Sequence, residues 1–265
     1  MHQCTHKIEW ETAISDSRSD DVIVRGYSLT DDLIGKIGFA SMLYLLFKGE
    51  LPDQNASKMI DALLISCADH GVVPSSAVTR VVQSSGVPIQ SSVAAGILTI
   101  GDVHGGAGEE FSRLLQQLVS DTVARKEEFS AAAVRFVRER RRVDGFGHPL
   151  HPEGDPRSGV LLGLAKELNV AGDHIRMTEE IGKAIEAKSG RRIHLNIDGA
   201  VGAIISDLGF DWRFARPFIF IPRSVGLSAH AVEEQVRGRG ARHLDSSRIS
   251  YDGVARRTSA ASGRL

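Results

Sequence analysis

Two cysteines in 265 residues cannot staple a fold: Cys4 sits in a polar N-terminal stretch and Cys67 inside an apolar one. A disulfide framework is not expected, and a reducing cytosol is the expected compartment. The N-terminal text MHQCTHKIEWETAISDSRSDD has no charged-then-apolar export pattern, and no apolar run approaches the roughly 20 residues a membrane-spanning helix needs. A cytoplasmic chain with no membrane partner is expected. Neither sign of charge dominates: 32 Lys and Arg face 33 Asp and Glu, a net charge of -1, so no global field gathers nucleic acid. The GxxxxGKS/T loop and a strand-borne GxGxxG turn are missing as well, which leaves nucleotide hydrolysis and dinucleotide redox chemistry without support. His2, Cys4 and His6 have chelating spacing, but a tail with no shell to orient ligands predicts no metal site.

What is present is 42% hydrophobic and 25% charged residues, enough for one substantial core or two unequal lobes. In DDLIGKIGFASMLYLLFKGELP, Leu33, Ile37, Ala40, Tyr44 and Phe47 recur at steps of three and four, with Asp31 and Asp32 before them and Gly49 and Pro52 after. This predicts one buried helix. SKMIDALLISCADHG repeats the pattern through Ile60, Leu63, Leu64 and Cys67, and GEEFSRLLQQLVSDTV through Phe111, Leu114, Leu115 and Leu118. Further helices are expected at SAAAVRFVRER, SGVLLGLAKELN, TEEIGKAIEAKSG and DGAVGAIISDLG, the last with Ala200, Gly202 and Ala203 allowing close helix approach. From Pro217 to Arg237, Val225, Ala229, Val232 and Val236 form one apolar stripe, and Pro222 is expected to kink or restart the helix. Long alternating runs are absent, so the fold class is all-α. Residues 1–20 and 254–265 are polar or small and aperiodic, and mobile tails are expected there. Arg140 to Asp155, rich in Gly, Pro and charge, is the expected hinge or ligand loop.

Histidine stands near glycine in ADHG (His70), GDVHGGAGEEF (His104) and DGFGHPLHPEGDPR (His148, His151), where a bare backbone can come near a ligand. His104 precedes a helix whose positive end disfavours imidazolium, keeping the ring a neutral donor for a carbonyl becoming an enolate; the alternative is a histidine that caps its own helix. His148 is held extended between Gly147 and Pro149. The Asp155-Pro156-Arg157 turn either presents a guanidinium to a carboxylate or closes a structural Arg–Asp pair. Asp198 is either an N-cap or a base acting beside a thioester. Arg223 and His230 lie two turns apart on one helix face, as a dicarboxylate site, a partner's anchor or a solvated face. The run Arg138, Arg140, Arg141, Arg142 ahead of Gly145 either meets a ligand's phosphates or stays solvated.

In this order, VIVRGYSLTDDLIGKIGFASMLYLLFKGELP, CADHG, GDVHGGAGEEF, GFGHPLHPEGDPR, HLNIDGAVGAIISDLGF and RSVGLSAHAVEEQ resemble the citrate synthase superfamily from about Val22 to Gly253. The short connection between KGELP and CADHG is most similar to its short members, the citryl-CoA lyases. The resemblance implies a large helical domain of residues 21–104 and 198–253, a small one of residues 105–197, and a homodimer or higher homo-oligomer. It implies reversible cleavage of citryl-CoA to acetyl-CoA and oxaloacetate, with acyl-CoA and dicarboxylate as partners and coenzyme A entering only as part of the substrate. By the same resemblance, His104 is similar to the donor to the thioester oxygen. Asp198 looks like the carboxylate exchanging a proton with the acetyl methyl, and His148 like the group handling the alcohol or carbonyl proton. His70, Arg157 and Arg223 look like the dicarboxylate holders, and Arg142, Val143, Gly145, Phe146 and Gly147 like the coenzyme A loop. There are two departures. Ser246 stands where many synthases have an arginine reaching the neighbouring subunit, with Arg242 and Arg248 nearby, and Pro149–Leu150 replaces longer or basic residues. Three alternatives stay open: a condensing synthase, a lyase for citramalyl- or methylcitryl-CoA, and a non-catalytic CoA or dicarboxylate sensor on the same scaffold.

Overall fold

The computed structural model describes residues 10–147, 151, 153–238 and 240–257. Its first regular structure arises where the sequence shows no pattern. Ser15–Ser17 (β1) pairs antiparallel with Val22–Val24 (β2), which pairs with Tyr27–Ser28 (β3). Three polar residues carry no alternation of their own, and it is Val22–Val24 that supplies the apolar side. Arg25 and Gly26, at φ 50 and 91, make the tight turn between β2 and β3.

The helix expected after Asp31 and Asp32 is interrupted. Leu29–Leu33 forms a single widened turn, with Ser28 accepting from the Asp31 amide. Gly35 then turns the chain at φ 74, and helix α1 (Phe39–Lys48) begins only after Gly38. Leu33 packs with Val24 and Leu45 in a small separate cluster, while Ala40 and Leu43 join the main core.

Helix α2 (Gln54–Ala68) is capped by Asp53, whose Oδ1 accepts from the Ala56 amide at 2.7 Å, and it buries Ile60, Leu63, Leu64 and Cys67 as the periodicity predicts. Two helices that the apolar pattern does not announce follow, α3 (Pro74–Ser84) and α4 (Ile89–Leu98). The buried face of α3 is polar, formed by Ser75, Ser76, Thr79, Arg80 and Gln83, while Val81 is exposed. The cost of burying these groups is met by partners: Gln83 accepts from Ser92 at 2.6 Å, and Arg80 lies 2.9 Å from Glu234.

The remaining helices are α5 (Ala107–Arg125), α6 (Phe129–Arg138), α7 (Pro156–Glu167), α8 (Asp173–Ser189), α9 (Ile197–Asp207) and α10 (Ala215–Arg237). Helix α10 runs through Pro222 without restarting. Its expected core stripe faces outward: Val225, Val232 and Val236 are exposed, and Phe218, Ile219, Arg223, Leu227 and Ala231 form the buried side. The helix carries two apolar stripes, and α2, α3 and α4 cover the other one.

Phe111 and Leu115 of α5, Ile181 of α8, Ile204 and Ile205 of α9 and Phe218 of α10 are fully buried at the centre. Small residues let α5 and α9 touch, as expected from the DGAVGA text. A Cβ on Gly108 would stand 2.8 Å from the Asp198 carbonyl oxygen, and one on Gly202 would stand 2.5 Å from Ser112 Oγ. The contact sets the first turn of α9 beside that of α5. Among the described residues, no helix is long and apolar enough to cross a membrane.

Candidate active site

Each candidate side chain sits at a helix end or in a helix beside one. His70 follows Asp69, which ends α2. His104 closes a turn in which Gly101 and His104 exchange backbone hydrogen bonds of 3.0 and 2.9 Å, just ahead of α5. Arg157 and Asp198 are second residues of α7 and α9, and Arg223 lies midway along α10. These five, spread over more than half of the chain, line one cavity of about 90 Å³, with Cys67, Ile100 and Ile219 in its walls.

Asn196, not Asp198, caps α9: its side-chain oxygen accepts from the Gly199 amide at 3.0 Å, and its amide donates to the Gly147 carbonyl at 2.8 Å. Asp198 is thereby released from capping and lines the cavity. Burial pushes its carboxyl up to about 6; Asp155 adds to this, while Arg157 and Arg223 oppose it. His104 is drawn below the ordinary histidine value, first by burial and then by the charge of Arg223. Both effects favour the neutral ring, the direction its position before a helix suggests, but they come from burial and Arg223. Its Nε2 lies 3.1 Å from Ser75 Oγ.

The two arginines share an anchor. Arg157 forms a fork with the buried Asp155 (3.0 and 2.8 Å) and donates to the Ser66 carbonyl, while Arg223 donates to the Cys67 carbonyl at 2.9 Å. The carbonyl end of α2, the negative pole of that helix, thus receives both guanidiniums. The structural Arg–Asp pair and the place on the cavity turn out to be compatible. The Cys67 thiol is buried and pushed up by that burial, as befits a wall rather than a nucleophile.

Other candidates fall elsewhere. His230 is absent from the cavity; its Nε2 is 3.1 Å from Asp69 Oδ1 and its Nδ1 is 3.1 Å from Arg80. Arg242 is engaged in a fork with Glu234 at 2.7 and 2.9 Å. Arg248 points to solvent, 3.7 Å from Asp245. His148, Pro149 and Leu150 lie outside the described residues; His151 Nε2 is 3.4 Å from His70 Nε2.

In the expected coenzyme A loop, the Gly145 carbonyl accepts from the backbone N–H of Asn196 at 2.9 Å, and the Gly147 backbone N–H donates to the His194 carbonyl at 2.7 Å, so the loop lies along the segment entering α9. Val143 and Phe146 are core residues that also reach the wall of a second cavity of about 250 Å³. Arg140, Arg141, Arg142 and Lys188 give that wall its positive charge. Arg142 is exposed, whereas Arg140 lies over the Phe136 ring at 3.8 Å. Pattern reading misses Ser75 and Cys67 as site residues: each is an ordinary helix-end or core residue in sequence, and only the fold brings Cys67 to the cavity wall and Ser75 to His104 behind it.

The sequence profile of the citrate synthase C-terminal domain matches residues 52–244. A solved citryl-CoA lyase from Hydrogenobacter thermophilus superposes with a TM-score of 0.86 at 35% identity, covering 94% of this chain and 96% of that one. Citrate synthase of Helicobacter pylori (strain J99) is 32% identical over 182 residues, 65% of this chain and 42% of the relative. That of Synechocystis sp. is 30% identical over 205 residues, 75% and 50% respectively. The chain therefore spans half or less of the length of these two synthases and nearly all of the lyase. By the extent of the domain match and by both kinds of likeness, this chain belongs to the citrate synthase family.

Proposed function

We propose that the protein is a citryl-CoA lyase, cleaving citryl-CoA reversibly to acetyl-CoA and oxaloacetate. The observation that carries the reading is the meeting, on one cavity, of a neutral-biased imidazole, a carboxyl raised to about 6 and two guanidiniums. A likeness that runs end to end along a short lyase supports it over the longer synthases.

In cleavage, His148 takes the proton of the tertiary alcohol. The electron pair of that O–H bond forms the oxaloacetate carbonyl as the carbon–carbon bond breaks, and the bond's electrons pass to the acetyl thioester as an enolate. With Ser75 donating to Nε2 of His104, the ring proton sits on Nδ1 and serves the enolate oxygen. A preorganised donor of this kind contributes about 3 kcal/mol to transition-state stabilisation. Asp198 then gives its proton to the enolate carbon, a transfer helped by a carboxyl that holds its proton close to neutral pH. Arg157, Arg223 and His70 hold the dicarboxylate. The cavity beside Arg140, Arg141 and Arg142 suits the phosphates and adenine of coenzyme A, which enters as part of the substrate with no tightly bound cofactor.

The same reading has the site lying between a large domain of residues 21–104 and 198–253 and a small one of residues 105–197, in a cytosolic homodimer. The test follows oxaloacetate release from (3S)-citryl-CoA by coupled malate dehydrogenase in wild type and Asp198→Asn. Release by the wild type that collapses in the variant is expected. An inert wild type that still binds coenzyme A would overturn the lyase reading.

A further inference from the structure

The turn that carries His104 has little to hold it in place. Asp102 and Val103 at its tip are exposed, and the glycines at its base, Gly105 and Gly106, bring no side chain. Among the described residues, besides the contact of His104 with Ser75, the tip of the turn is bridged by Arg216 in the first turn of α10, which lies 2.8 Å from Asp102 Oδ1 and 2.7 Å from Glu109 Oε2 in the first turn of α5. Three positions on, Ile219 backs Gly105, its Cγ2 3.2 Å from where a Cβ would stand. Four further on, Arg223 reaches the cavity. Positions i, i+3 and i+7 share a helix face, so one stripe of α10 clasps the turn, backs it and supplies a cavity arginine.

We propose that Arg216 is a positioning residue for His104, clasping the Gly101–His104 turn against α5 so that the imidazole keeps its place in the cavity. The proposal rests on the reading of His104 as the donor to the enolate oxygen. Arg216 touches neither the cavity nor the ring, and its effect passes through the backbone of the turn. Its two ion pairs are partly exposed, so they add little to global stability. A misplacement of the catalytic donor by a fraction of an ångström, in contrast, is felt in turnover.

The experiment compares wild type, Arg216→Met, Asp102→Asn and the double variant in kcat and KM for citryl-CoA and in the imidazole nitrogen resonances of His104, with His174 and His194 as internal controls. Arg216→Met is expected to lower kcat roughly ten- to a hundredfold with KM changed by no more than about twofold, and to move the His104 resonances alone. Asp102→Asn acts in the same direction more weakly, and the double variant loses no more than Arg216→Met, because both act through one contact. Unchanged kcat with unmoved His104 resonances, or losses that multiply in the double variant, would overturn the proposal. Should Arg216→Met fail to fold, Asp102→Asn at the exposed tip carries the test. Should the wild type not cleave citryl-CoA, the lyase reading falls separately and the His104 resonances, which need no substrate, decide whether Arg216 holds the turn.

Discussion

Burial pushes the Asp198 carboxyl up to about 6, whereas in the unfolded chain it returns to the ordinary aspartate value of 3.8. The native state therefore binds this proton more tightly than the unfolded state, and the protonated form is the one that folding favours. Below the unfolded value both states are protonated and nothing is lost. As pH rises from there to about 6 the native state pays progressively, and above that the penalty is full, about 3 kcal/mol. Asp198→Asn removes the ionisable group. It is expected to raise stability in urea unfolding near pH 8, with the gain shrinking on acidification and gone below about pH 4, while activity is lost. A gain that does not vary with pH would show that the carboxyl is not raised. Asp155 is a second buried carboxyl, and its worth lies in its fork with Arg157. Asp155→Asn leaves the guanidinium half-partnered and is expected to cost about 3 kcal/mol or more of stability. It should also weaken oxaloacetate binding, measured by calorimetry, because Arg157 loses its brace.

Between helices, the contact of α5 with α9 sets the distance from the His104 turn to Asp198. Gly108→Ala drives a methyl to 2.8 Å from the Asp198 carbonyl, and backbone cannot swing aside as a side chain can. The expected cost is about 1–3 kcal/mol, read as a lower thermal midpoint, together with reduced turnover as the start of α9 shifts. Gly159, exposed within α7 with nothing within 4 Å of its absent Cβ, is the control: Gly159→Ala should stabilise by up to about 1 kcal/mol through helix propensity. The same contrast explains what the sequence made legible. Helices with a single apolar stripe, such as α2 and α5, are readable because burial and periodicity coincide. Helix α3 is not, since its buried face is Ser75, Thr79, Arg80 and Gln83, and α10 is misread because it has two stripes and the weaker-looking one is inside. The glycines at 35 and 38 divide what reads as one helix. Most candidate site residues were legible because turns at helix ends leave glycine, proline and capping marks beside them. Ser75 and Arg216 leave none, since their partners His104 and Asp102 are distant in sequence.

For the whole molecule, the outward face of α10 is the feature that a single copy does not account for. Val225, Val232 and Val236 are exposed along it, and α3 and α4, which pack against α10, expose Val81 and Leu98. Isolated exposed valines are ordinary on any surface, but a stripe of them along the C-terminal half of one helix is what a buried interface looks like when its partner is removed. A second copy presenting the same stripe about a two-fold axis satisfies the patch with its own kind, which supports the proposed homodimer. Val232 sits mid-stripe, and a carboxylate there would be buried against its symmetry mate. Val232→Glu is therefore expected to shift the sedimentation-equilibrium mass from two chains to one at micromolar protein while the helical circular dichroism is retained. Because α10 also carries Arg216 and Arg223 on its other face, the monomeric variant should be less active than the wild-type dimer as the helix loosens. A variant that stays dimeric would move the interface away from α10, and a wild type that sediments as one chain would remove the homodimer altogether.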